Sequence, residues 1–177
     1  LLLFRMIEEG IVDKNETIGD ILGAGFKPED ENAAKITLLQ LASHSSGLPR
    51  HPLTIKLLYT LSCFLFTGNN FYDYIDGGEG IKYMSEIHLD KEQIGKYTYS
   101  NIGVGLLGYL LAKKAGKPLE ELLREKIFIP LEMGDTAITL DDEQKRRLAI
   151  AYSGDQPLFR FRNTPLEPWK FTSFTEG

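Results

Sequence analysis

At 177 residues, 42% hydrophobic and 25% charged, the chain has the make-up of an ordinary globular protein, long enough for one well-buried core and short for two. A formal net charge of −5 argues against a nucleic-acid partner, which needs a concentrated basic face; the cluster Lys145-Arg146-Arg147 follows Asp141, Asp142 and Glu143 and reads as solvated surface. Cys63 is the only cysteine, so an internal disulfide is impossible, and its setting in Ser62-Cys63-Phe64-Leu65-Phe66 reads as a buried apolar thiol.

Leu1 to Glu9 reads as a helix closed by Gly10, a residue suited to the left-handed position after a helix end. No capping residue precedes this helix and no signal-peptide pattern opens it, so the expectation is a natural protein that extends upstream and carries any targeting signal there. Ile11 to Leu22 alternates loosely and includes a turn-rich surface connection, and Lys27 to Lys35, charged and holding Pro28, reads as loop. Thr37 followed by Gln40 fits a capping box, with Leu38, Leu39, Leu41 and Ala42 as the apolar face of the helix it starts. Gly47 and Pro49 end that segment.

Leu53 to Phe66 reads as a second helix, interrupted by Lys56 and too short to span a bilayer, and Thr67 to Asn70 as a turn. A contact between that apolar run and a membrane surface stays open but unsupported. Gly80 to His88 has modest helical periodicity. Ser100 or Asn101 caps a helix running to Ala115, with Lys113 and Lys114 at its negative end and Gly116 as its stop. Pro118 opens the next helix, with Leu119, Leu122, Leu123 and Ile127 on one face and Pro130 closing it. Glu143 to Ala151 is a further helical candidate, and Gln156 to Gly177 reads as irregular. The chain is therefore expected to be mainly α, with weak strand candidates and no internal repeat.

Tyr99-Ser100-Asn101 has two readings from the tripeptide alone. One is a buried aromatic followed by an N-cap. The other is chemical: an unperturbed tyrosine with a pKa of about 10 is a poor base at neutral pH, and a neighbouring lysine cation brings its phenolate into useful range. An asparagine two residues on offers both a donor and an acceptor for a substrate amide and for that lysine. Both groups then project from a rigid helix start.

The surrounding segments separate these readings. Ile36 to Pro49 (ITLLQLASHSSGLP), Tyr99-Ser100-Asn101 and Gly103 to Thr136 resemble the serine β-lactamase and penicillin-binding-protein superfamily, in its class C-like branch of β-lactamases, DD-peptidases and esterases. The resemblance covers Leu1 to Thr136 and implies that Tyr99 is the general acid/base and Asn101 a substrate-positioning residue. It also implies a helical portion of a β-lactamase/transpeptidase-like α+β fold, acyl-enzyme chemistry on an amide, lactam or ester, no metal or organic cofactor, and a small-molecule or peptide substrate met outside the cytoplasm.

The chain contains no Ser-x-x-Lys, which supplies the nucleophile in this family. The expectation is one partial domain over residues 1–177, with the nucleophile motif upstream of Leu1, a Lys-Thr-Gly-type strand beyond Gly177, and no turnover by the chain on its own. The alternative is a non-catalytic relative that binds cell-wall peptide or a protein partner. β-Lactamase, DD-peptidase and esterase are not separable from this sequence, nor is the oligomeric state.

Other motifs carry less. Gly103-Val104-Gly105-Leu106-Leu107-Gly108 satisfies the dinucleotide-binding pattern, but the residues before it are too polar for a buried parallel strand and another helix follows. These glycines read instead as letting a neighbouring helix or strand approach closely. Lys114-Ala115-Gly116 sits at a helix end and carries no chemistry. His44, His51 and His88 lack metal-ligand spacing, and His44 is expected to make a structural hydrogen bond. Ser45 and Ser46 lack a nucleophile-elbow context.

Overall fold

Side-chain oxygens mark where the helices of this protein begin. A helix leaves its first N–H groups unpaired, and a Ser, Thr or Asp just ahead of it accepts one of them. Thr17, Asp30, Thr37, Thr54, Ser100 and Asp141 each do this. The computed structural model describes residues 1–52, 54–68, 77–155, 161–166 and 168. The helices are α1 (Leu2–Glu8), α2 (Ile18–Leu22), α3 (Glu31–Lys35), α4 (Leu38–Ala42), α5 (Ile55–Thr67), α6 (Gly77–Glu86), α7 (Asn101–Ala115), α8 (Leu119–Leu123) and α9 (Asp142–Arg147). A short antiparallel ladder pairs β1 (Ala151–Tyr152) with β2 (Pro165–Leu166) in the register Ala151 to Leu166 and Tyr152 to Pro165. The chain is mainly α, as its sequence predicts.

The capping box at Thr37 forms as expected, with Thr37 accepting from the Gln40 N–H and Gln40 accepting from the Thr37 N–H. A second box, Thr17 with Asp20, starts α2 inside a stretch read as loose alternation. The two boxes lie back to back across a single antiparallel bridge: Ile18 donates to the Ile36 carbonyl at 2.9 Å and Leu38 to the Glu16 carbonyl at 3.0 Å. The expectation of loop over Lys27 to Lys35 is corrected by α3. Pro28 lies outside the helix, and Asp30 accepts the Asn32 N–H at 2.9 Å and the Leu89 N–H at 3.0 Å, starting α3 and tying it to the segment after α6.

α7 is the central element. Ile102, Gly103, Gly105, Leu106, Leu107, Leu110 and Leu111 are all buried, so this helix is surrounded by protein over most of its girth. α4, α2 and α8 pack on it, and its buried leucines share one core cluster with Leu38, Leu41, Ile18 and Leu122. Each such leucine contributes about 1.5–3 kcal/mol on burial, so Leu106→Ala would cost about 2–5 kcal/mol through the cavity it leaves. Gly116 ends α7 in the left-handed region at φ 66°, where a β-carbon would be strained.

Pro118 caps α8 as expected, and Leu122 and Ile127 are buried. These two are five apart, which an α-helix of 3.6 residues per turn puts on different sides. From Arg124 to Phe128 the helix widens to an i→i+5 turn, with Ile129 donating to the Arg124 carbonyl at 2.9 Å, and both residues reach the core. Ion pairs Lys126–Glu9 and Lys114–Glu16 fasten this region and the end of α7 to the N-terminal segment.

The helix expected over Leu53 to Phe66 corresponds to α5, which Thr54 caps and Gly68 closes at φ 72°; Leu53 lies outside the described residues. Cys63, expected to be buried, is only half-buried and lies beside the Tyr59 phenol, which it holds above the ordinary tyrosine range. The rest of the turn expected after Thr67, Asn69 and Asn70, lies outside the described residues, as do 156–160, 167 and 169–177 of the stretch read as irregular. The described part of that stretch holds β2, where buried Ser153 donates to the Phe161 carbonyl at 2.6 Å and accepts from the Thr164 N–H at 2.9 Å. Among the described residues, no helix is long and apolar enough to cross a membrane.

Candidate active site

Tyr99, Ser100 and Asn101 form the turn that feeds α7. Ser100 has extended backbone and its hydroxyl accepts the Gly103 N–H at 2.9 Å, so Ser100 is the N-cap and Asn101 the first helical residue. The facing segment, His44 to Arg50, grips this turn at four points. The Thr98 N–H donates to the His44 carbonyl at 2.7 Å, and the Ser100 N–H to His44 Nδ1 at 3.2 Å. The Ser100 hydroxyl donates to the Pro49 carbonyl at 2.7 Å, and the Asn101 N–H to the Arg50 carbonyl at 3.1 Å. Extended backbone alternates its sides, so with 98 and 100 both turned to His44, Tyr99 lies between two fixed points.

Of the anchored residues Ser100 is buried and Thr98 and Asn101 are half-buried, whereas Tyr99 is exposed. Ser100 is 1% exposed, whereas Tyr99 is 48% exposed. Its ring lies 4.6 Å from the His44 imidazole at a 38° tilt, and the Arg50 guanidinium sits 5.5 Å from its centroid in cation–π range. Tyr97 meets the same imidazole edge-on at 5.8 Å. His51, next to Arg50, is held below the ordinary histidine range by burial and then by the Arg50 charge. A phenol, a carboxamide and a guanidinium thus gather at the N-terminus of a 15-residue helix, where the backbone dipole favours negative charge.

The structural hydrogen bond expected of His44 is the one from Ser100. His44 is also one of three non-glycine residues with positive φ, at 56°, among the described residues. A left-handed histidine persists where its surroundings over-determine it, and here its carbonyl, ring nitrogen and ring face are all engaged. At Gly103 the tight neighbour is the cap of α7 itself rather than another helix or strand: an added β-carbon would stand 3.1 Å from Ser100 Oγ, while Ser46 Oγ of the facing segment lies at 3.8 Å, an ordinary contact distance. Ser46 is buried, and Ser43 and Ser45 bond to each other at 2.8 Å. No group of three His, Cys, Asp or Glu side chains able to hold a metal occurs among the described residues.

The sequence pointed to Tyr99 and Asn101, but not to the Pro49 and Arg50 carbonyls or to the Arg50 guanidinium over the tyrosine ring. Pro-Arg following Ser-Ser-Gly-Leu carries no signal for a contact made some fifty residues later in the chain.

Comparison with known proteins gives a consistent set of likenesses. A family model described as Beta-lactamase matches residues 1–173. The D-alanyl-D-alanine-carboxypeptidase/endopeptidase AmpH of Escherichia coli (strain K12) is 30% identical over 156 residues, a match covering 88% of this chain and 38% of that protein. The crystal structure of a β-lactamase/D-alanine carboxypeptidase from Yersinia pestis complexed with citrate aligns with a TM-score of 0.66 at 27% identity, over 83% of this chain and 39% of its own. A class C β-lactamase from Rhodobacter sphaeroides aligns with a TM-score of 0.72 over 99% of this chain and 42% of its own; at 19% identity this likeness is one of fold. The chain spans about two fifths of the length of these relatives.

Proposed function

The chain belongs to the β-lactamase family, in its class C and penicillin-binding-protein-like branch, and from that premise we propose that it supplies one wall of a serine acyl-transfer site. Its helices are the helical portion of the β-lactamase/transpeptidase-like fold. In the proposed reaction a serine hydroxyl attacks an amide, lactam or ester carbonyl, an acyl-enzyme forms, and water releases the acid. Tyr99 takes the proton from the attacking hydroxyl and returns it to the leaving group. Asn101 holds the substrate amide. The observation that carries this reading is the fixed turn itself: a half-exposed phenol whose two neighbours in sequence are hydrogen-bonded to the His44 to Arg50 segment.

The 177 residues hold no Ser-x-x-Lys. The nucleophilic serine and its lysine are therefore part of the proposal as groups encoded outside this segment, and the segment alone is proposed to be inactive. The substrate is a small molecule or peptide, and a cell-wall peptide substrate would put the protein outside the cytoplasm. Family kinship does not choose among lactam, peptide and ester.

A fluorescent penicillin or a serine-directed acylating probe tests this. It should leave the isolated 177 residues unlabelled and acylate the product of the surrounding gene if that gene encodes Ser-x-x-Lys. Tyr99→Phe should slow acylation by a factor of roughly 10²–10⁴, the range for losing a positioned acid/base. Labelling of the isolated segment, or full-rate acylation of Tyr99→Phe, would contradict the assignment.

A second reading, a non-catalytic relative that binds cell-wall peptide or a protein partner, draws on α5. There Ile55, Leu58 and Tyr59 are 87%, 63% and 68% exposed, an apolar surface suited to recognition. A gene with no serine or no lysine at the nucleophile motif would favour it.

A further inference from the structure

We propose that His44 is the positioning residue of the Tyr99-Ser100-Asn101 turn, and that it holds the turn only as a neutral imidazole protonated on Nε2. The consequence for catalysis rests on the roles given above to Tyr99 and Asn101; the structural coupling does not.

Among the described residues four hydrogen bonds join the turn to the His44 to Arg50 segment, and three of them end on backbone carbonyls, of His44, Pro49 and Arg50. A carbonyl keeps its lone pairs at every pH at which the protein folds. The fourth ends on His44 Nδ1, which accepts the Ser100 N–H at 3.2 Å. An imidazole nitrogen accepts only while it carries no proton. That single bond therefore selects the Nε2–H tautomer and is lost when the ring becomes imidazolium, since two N–H groups would then face each other. Among the described residues it is the one titratable link in the clamp.

The position of that link matters more than its strength. Ser100 stands between Tyr99 and Asn101, and the imidazole that accepts its N–H also lies 4.6 Å from the Tyr99 ring. Loss of the bond frees the ring to turn, and the ring is the surface on which Tyr99 rests. Among the described residues, the titratable groups in contact with His44 are Tyr97, edge-on at 5.8 Å, and Tyr99 itself, and Arg50 brings its guanidinium to 5.5 Å from the Tyr99 centroid. Ser43 and Ser45, its neighbours on the chain, bring neutral hydroxyls.

The left-handed backbone of His44 supplies a control. At φ 56° asparagine is among the few non-glycine residues tolerated. Its side-chain carbonyl oxygen occupies the same position relative to Cγ as Nδ1 and accepts a hydrogen bond without titrating. His44→Asn should therefore keep the Ser100 bond and abolish its pH dependence.

The experiment is isotope-edited NMR of the full chain across the histidine titration, on wild type and His44→Asn. In wild type the long-range pattern of the neutral ring should show Nδ1 unprotonated. As His44 titrates, the Ser100 amide should shift with the same midpoint, and the Tyr99 and Asn101 resonances should follow. Comparing Ser100 amide exchange between the two proteins at each pH cancels intrinsic chemistry; the rates should agree above the midpoint, with wild type faster by roughly fivefold below it, the ratio for one neutral hydrogen bond. A protonated Nδ1 in the neutral ring, a Ser100 amide indifferent to the His44 titration, or the same pH response in His44→Asn would each overturn the proposal. Acylation by the serine-bearing gene product reads the other premise. If the NMR coupling is present but Tyr99→Phe acylates at full rate, the clamp stands and the catalytic role of Tyr99 fails.

Discussion

The Ser100 hydroxyl donates to the Pro49 carbonyl at 2.7 Å and accepts the Gly103 N–H at 2.9 Å, so one oxygen both caps α7 and fastens the turn before it. Ser100 is 1% exposed, and water cannot substitute for it. Ser100→Ala strands a donor at the helix start and an acceptor on the facing segment. Losing the cap costs about 1 kcal/mol and losing the second bond about as much again, so a fall in stability of about 2 kcal/mol is expected. Urea unfolding should show a lower midpoint with an unchanged slope. A midpoint equal to wild type would mean that Ser100 is not what holds the turn.

Tyr99 and Asn101 should behave in the opposite way. No hydrogen bond to the Tyr99 hydroxyl is found among the described residues, and Asn101 meets the Arg50 carbonyl through its backbone N–H, which alanine retains. Tyr99→Phe keeps the ring that lies on His44 and under Arg50. Both Tyr99→Phe and Asn101→Ala should therefore unfold within about 0.5 kcal/mol of wild type, the usual range away from structural features. Activity lost without stability is the signature of a chemical role; a large stability loss in Tyr99→Phe would point to a structural one.

Gly103→Ala separates close packing from helix propensity. Alanine within a helix is favoured over glycine by about 1 kcal/mol, so an unobstructed site would gain stability. Here the new carbon would stand 3.1 Å from Ser100 Oγ and 3.3 Å from Ser100 Cβ, and that side chain is pinned by two hydrogen bonds. The expectation is a net loss of about 1 kcal/mol, since overpacking of a rigid contact outweighs the propensity gain. Gly25→Ala, where the added carbon meets nothing within 4 Å, is the control and should gain about 0.4–1 kcal/mol, with both variants followed by calorimetry. Stabilisation by Gly103→Ala would show that the cap can shift to make room.

What could be read along the chain was local. The capping box Thr37/Gln40, the stop at Gly116 and the cap at Ser100 each follow from residues within one turn of each other, and each formed. The helix α3 was missed because Pro28 and a run of charges signal loop, while the residue that starts the helix, Asp30, completes its bonding with Leu89, far along the chain. The short helix α2 was missed for a related reason: five residues are too few to show periodicity, and Thr17/Asp20 reads as turn chemistry as readily as a cap. At the candidate site, Tyr99 and Asn101 were legible because their spacing is part of a family pattern. Their clamp was not, because three of its four acceptors are backbone carbonyls, which every residue possesses.

Asp30 gives the last prediction, on acid stability. The Asn32 N–H first and the Leu89 N–H second hold its carboxyl below the ordinary value of 3.8. A carboxylate depressed in the folded state stabilises fully above its unfolded pKa, and that contribution is lost as pH falls through the folded one. Thr17 bonds to Asp20 and the Arg147 guanidinium beside Asp135 act in the same direction, so the melting temperature should decline as pH drops below about 4. In Asp30→Asn the amide can still cap α3 through its oxygen, since asparagine caps as well as aspartate. Its NH₂ group, however, meets the Leu89 N–H as a second donor. Asp30→Asn should therefore melt below wild type at neutral pH, and the gap should close in acid, where wild type loses the same charge. Melting curves at a series of pH values test this directly. A gap that stays constant into the acid range would assign the loss to packing rather than to the carboxylate, and the link from Asp30 to Leu89 would then carry no electrostatic share of the stability.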